Sequence, residues 1–224
     1  MAFGVLFANT ENILSNHVSM LVNGTLTPNQ LGAVTLNTLN HAHSTGYSIG
    51  ANSIGADLTP AEAQPLVSRT MYEQAQFLGE FMEDLESKDP RYVKTLEELY
   101  PEIGDEKEIL ARIKADDIIQ PHPIEDEGNE YYDEKAIQWR MQLYAERVRG
   151  TANWGAVNML NPTDEIYWRL DPSPDVEHCD TCIAFSKITW YKGTLEGVPG
   201  SGVTICGVND RCNLELADGT VIQF

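Results

Sequence analysis

The chain has 224 residues, 42% of them apolar, enough for one large core or a larger and a smaller one. No run of eighteen apolar residues occurs, which excludes an ordinary transmembrane helix. With 34 acidic against 15 basic residues the net charge is −19, which opposes direct binding to nucleic acid or to an anionic membrane and suits a solvated surface or a basic partner.

The first residues lack a basic stretch and a long apolar stretch, so the sequence predicts no signal peptide and synthesis in a cytoplasm. The glycosylation-like Asn23-Gly24-Thr25 then carries no meaning, and thiols are expected to stay reduced. Ile13, Leu14, Val18, Leu21 and Val22 recur at helical spacing, and Asn23-Gly24 ends that helix. Thr27-Pro28 starts a second helix, with Leu31, Val34, Leu36 and Leu39, that runs to about His43. Gly46 and Gly50 oppose its continuation, and a loop is expected near residues 51–58. Thr59-Pro60-Ala61-Glu62 has the form of a capping box. It opens a helix whose apolar stripe runs from Leu66 to Leu85 and reads as bundle core.

Asp89-Pro90 opens a short helix through Leu99, and residues 105–115 form another. Residues 120–128, with two prolines and an acidic run, read as a linker. Residues 131–160 resume helical spacing, with interruptions expected at Gly150 and Gly155 and a stop at Asn161-Pro162. The period then changes. Ile166, Trp168 and Leu170 alternate as in a strand, and residues 188–191, 203–205 and 214–216 read as short strands. Ala217-Asp218-Gly219 turns residues 220–224 back as a hairpin partner. The layout is α+β and mainly α: a helical body over residues 1–162, then a small β-rich module over residues 163–224.

All four cysteines fall in that module: Cys179, Cys182, Cys206 and Cys212. Cys-x-x-Cys aims two thiolates at one point, and Zn²⁺ takes four such ligands in a tetrahedron. The second pair is wider, but Gly207 and Asn209 ease a wide loop. The spacing admits three states: a four-thiolate zinc site, metal-free cysteines that are reduced or disulfide-paired, and a redox Cys-x-x-Cys. His178 is read as a bystander, because a neighbour in sequence seldom reaches the same ion. The acidic run at residues 125–134 lacks the ordered spacing of a calcium loop. No dinucleotide loop, phosphate loop, His-Glu-x-x-His or Gly-x-Ser-x-Gly is present. His41 and His43 stand two apart and face different ways on a helix, while His17 and His122 are isolated. The sequence advertises no reaction.

Trp168-Arg169-Leu170, His178-Cys179-Asp180-Thr181-Cys182, residues 197–202 (Gly-Val-Pro-Gly-Ser-Gly), Cys206 and Arg211-Cys212 together resemble the end of the phage minor head proteins, the Mu protein F-like head morphogenesis family. Residues 46–50 and 76–81 look similar to the helical part of that family. The family often ends on Cys-Arg-Cys, where this chain has Asp210-Arg211-Cys212. That departure puts the fourth ligand in question, and Cys206 is the better candidate than Asp210. The resemblance implies a non-enzymatic structural or assembly protein of a tailed bacteriophage, assembled in the host cytoplasm and carried into the virion. Its implied partners are the portal protein or the major capsid protein, with no direct nucleic-acid contact, and a homo-oligomer in the particle is compatible with it. The cofactor expected is structural zinc on Cys179, Cys182, Cys206 and Cys212. A metal-dependent enzyme and a zinc-ribbon adaptor to a host protein are the competing readings.

Overall fold

The computed structural model describes residues 2–89, 132–173, 176–205, 207 and 211–224. The expected short helices at 89–99 and 105–115 and the linker at 120–128 lie outside the described residues, apart from Asp89.

Helix α1 (Phe3–Val22) buries Leu6, Thr10, Leu14, Val18 and Leu21, spaced by three and four so that they share one face. Helix α2 (Pro28–Ser53) starts on a reciprocal box: the Thr27 hydroxyl accepts the Gln30 amide, and Gln30 Oε1 accepts the Thr27 amide. It does not stop at His43. It continues unbroken through Gly46 and Gly50 to Ser53, so the loop expected from residue 51 is shorter and later. The second capping box forms as read, Thr59 with Glu62. The single helix expected after it is divided. A short α3 (Pro60–Ala63) passes through a 3-10 turn (Gln64–Val67) into α4 (Ser68–Lys88). Pro65 has no amide hydrogen to give the α-helical ladder, which places the break there.

Helix α5 (Glu134–Met159) is capped by Asp133, whose carboxylate accepts the Ala136 amide. Gly150 and Gly155 do not interrupt it. Gly50 and Gly155 stand where the backbones of α2 and α5 meet. A Cβ on Gly50 would overlap the Ala152 carbonyl oxygen, and one on Gly155 would overlap the Tyr47 carbonyl. Glycine costs a helix about 1 kcal/mol per residue, and here the close approach of two backbones offsets it. Helices α1, α4 and α5 all pack on α2 around Leu14, Leu31, Leu39, Leu78, Met82 and Met141. At the far end of this core the Tyr132 hydroxyl donates to Asp89 Oδ2 at 2.8 Å.

After α5 the chain forms a four-stranded antiparallel sheet in the order β2-β1-β3-β4. Its strands are β1 (Ile166–Arg169), β2 (Thr189–Trp190), β3 (Asn213–Leu216) and β4 (Val221–Ile222). The hairpin across Ala217-Asp218-Gly219 forms as read, with Leu214 opposite Ile222. Residues 203–205 are not a strand; they belong to a loop turned by Gly200 and Gly202, both at positive φ. A helix that periodicity missed, α6 (Asp180–Phe185), lies between β1 and β2. The architecture is α+β and mainly α.

The sheet does not make its core alone. Ile166, Trp168, Trp190, Leu214 and Ile222 pack together with Ala156 and Val157 from the last turn of α5 and with Leu160 just after it. Phe185 sits edge-on between Trp168 (5.1 Å) and Trp190 (5.0 Å). The loop of residues 196–203, which follows β2, is fastened to α5 as well. Asn153 Nδ2 donates to the Pro199 carbonyl at 2.8 Å, and a Cβ on Gly150 would stand 2.5 Å from the Gly200 carbonyl oxygen.

Candidate metal centre

Sheet pairing brings two distant cysteine-bearing segments together. Arg169 at the end of β1 is opposite Asn213 at the start of β3. The chain leaving β1 toward Cys179 therefore runs beside the chain arriving from Cys212. Cys179 is the N-cap residue of α6, and Cys182 lies in its first turn, fully buried. Their sulfurs are 3.5 Å apart. A disulfide needs about 2.05 Å, so these two are not bonded to each other. Two thiolates on one zinc stand about 3.8 Å apart when each Zn–S bond is about 2.3 Å. The pair is spaced for that geometry.

Cys212 is buried at the mouth of β3. Facing it is His178, which the sequence reading set aside. Its Nε2 hydrogen-bonds the Asp171 carbonyl at 2.9 Å, and its Nδ1 is 4.0 Å from Cys212 Sγ. Because a carbonyl only accepts, Nε2 carries the proton and Nδ1 turns to the sulfur. The Asp171 turn is itself held by the Ser173 amide on Asp171 Oδ1 at 2.8 Å. Adjacency to Cys179 hid this contact; the β1–β3 pairing, which sequence spacing does not announce, creates it.

Cys206 and Asp210 lie outside the described residues. Gly207 does take the positive φ expected of a wide turn, at 64°. Among the described residues no group of three or more histidines, cysteines or carboxylates is already arranged around one point. The donor set itself, Cys179 and Cys182 at 3.5 Å with Cys212 buried in the same core, has the chemistry zinc takes.

The remaining histidines divide as helical geometry requires. His41 is exposed and His43 is fully buried. The Gln74 amide approaches His43 Nε2 at 2.9 Å, and His43 Nδ1 is 2.6 Å from Thr151 Oγ1, so one imidazole ties α4, α2 and α5. Hydroxyl, imidazole and amide in a row have the connectivity of an activated nucleophile. Burial, and then the Arg147 charge, push the imidazole down to about 3. At neutral pH it has little affinity for the hydroxyl proton, so the row works as an interhelical tie.

The chain matches no family model, no curated protein and no solved structure. No helix among the described residues is long and apolar enough to cross a membrane.

Proposed function

We propose that this chain is a non-enzymatic structural or assembly protein of a tailed-phage head, of the minor head type, seated at the portal or the inner capsid face. One observation carries the reading. Trp168, Cys179, Cys182, residues 197–202 and Cys212, on which the resemblance rests, converge on one compact end of a helical body. They serve to hold that end together. The net charge of −19 supports docking on a basic protein face rather than on DNA.

Zinc belongs to the same proposal, with Cys179, Cys182 and Cys212 as ligands and Cys206 as the fourth. When bound, it would add folding free energy to this end of the chain. The chain's own residues pre-position the thiols: α6 sets Cys179 and Cys182, β3 sets Cys212, and the Asp171 carbonyl orients His178 beside it.

Mass spectrometry of purified virions from the encoding phage tests the assembly role. Peptides of this chain are expected in intact particles, together with co-purification with portal or capsid protein at low salt. Their absence from particles overturns the reading. Elemental analysis of the purified protein tests the metal, with one zinc per chain expected and a metal-free protein overturning that part.

A further inference from the structure

A cavity of about 420 Å³ lies between the first turns of α4, the middle of α5 and the loop of residues 196–203. Its loop wall is fixed in place by the Asn153–Pro199 hydrogen bond and the Gly150–Gly200 approach. Two guanidinium groups line it, Arg69 from α4 and Arg147 from α5. Arg147 lies over the Phe77 ring at 5.4 Å, which holds the group flat and leaves its nitrogen edge available. No carboxylate pairs with Arg147 among the described residues, although the chain has more than twice as many acidic as basic side chains. Gly202 keeps the space beside this edge open: a Cβ there would sit 3.9 Å from Arg147 Nη2. Arg69 holds Glu73 at 3.2 Å with its side chain 91% exposed, so it is free to swing without loss of packing.

We propose that this cavity is a binding site for a phosphate monoester carried on a small hydroxyl-bearing molecule. The forked guanidinium groups from two helices suit a dianion with three oxygens better than a single carboxylate. The volume lies within the range of about 300–1,000 Å³ for small-molecule sites and leaves room for more than a bare ion. The wall beyond the arginines is mixed: Trp154 and Val203 are apolar, and Glu73, held by Arg69, lines it too. Thr70 and Ser201 bring hydroxyls, and Glu196, which has no ion pair among the described residues, accepts from ligand hydroxyls. The site is independent of the assembly reading, and particles could lack the chain while the cavity still binds.

Titration calorimetry on the full chain tests it, with ribose 5-phosphate, inorganic phosphate, ribose and acetate as probes. Saturable binding of ribose 5-phosphate is expected, with inorganic phosphate weaker and ribose and acetate silent. Arg147→Met is expected to weaken ribose 5-phosphate at least about ten-fold. Arg69→Met, at an exposed position that cannot unfold the chain, is expected to weaken it by a smaller factor, and Glu196→Gln to affect the sugar phosphate but not inorganic phosphate. No saturable binding of either phosphate overturns the proposal. So does ribose or acetate binding as tightly as ribose 5-phosphate, or a folded Arg69→Met chain with unchanged affinity.

Discussion

Gly50 of α2 and Ala152 of α5 meet backbone to backbone, with no room for a single carbon between them. This contact, mirrored by Gly155 against Tyr47, sets how closely the two longest described helices cross. Overpacking a well-ordered core costs about 1–3 kcal/mol. Here the obstacle is a main-chain carbonyl, so Gly50→Ala is expected to lose about 3 kcal/mol or more. Gly79→Ala is the control. It stands mid-helix with nothing within 4 Å of the added carbon, and a gain of about 0.5–1 kcal/mol is expected. Urea unfolding of both variants checks the pair; equal effects would contradict the contact.

His43 makes stability depend on acid. Its folded-state value lies at about 3 against 6.5 in the unfolded chain, through burial first and the Arg147 charge second. The unfolded chain therefore takes up a proton that the folded chain refuses. This contribution is complete above pH 6.5 and is lost as the pH falls below it, by at most about 1.4 kcal/mol per pH unit. Urea midpoints measured from pH 7.5 to 5 are expected to decline more steeply in the natural chain than in His43→Gln. Parallel curves would remove His43 from the account.

Replacing Cys182 by Ser, or adding a strong chelator, is expected to release the sheet if zinc holds it. Because Ala156, Val157 and Leu160 complete the sheet's core, hydrogen exchange should speed up in the last turns of α5 as well. An increase of about ten-fold or more is expected there and in β1 and β3. The amides around Leu31, Leu39 and Met141 in the other core should keep their protection. Unchanged exchange throughout the cysteine region counts against the clasp.

Thr59→Ala removes one half of a reciprocal cap whose other half is Glu62. A loss of about 1 kcal/mol is expected, read as a lower midpoint in thermal unfolding. Glu62→Gln keeps the hydrogen-bond geometry and should cost less.

Helix starts were legible because they are local. Thr27-Pro28 and Thr59-Pro60-Ala61-Glu62 carry their own hydrogen-bond partners within four residues. Helix continuations were not. Gly46, Gly50, Gly150 and Gly155 look like breakers by propensity, and only what packs on them, the facing helix for three and the Gly200 loop for Gly150, accounts for them. The run at 203–205 has strand composition, yet Gly202 turns it away from the sheet. The clustering of cysteines could be read directly, and so could the Cys-x-x-Cys turn. His178 could not, since its meeting with Cys212 depends on β1 lying against β3 across more than forty residues of chain.

Helix α5 takes part in both cores, the first near Ile137 and Met141, the second at Ala156 and Val157. At 26 residues it is a rod of about 39 Å. A load placed on the small sheet is therefore delivered into the bundle along this stiff member, with Ile54 at the end of α2 as a second point of contact. A pull on residue 224 would be shared between that beam and α1, because the Phe224 ring packs edge-on against Phe3 at 5.6 Å.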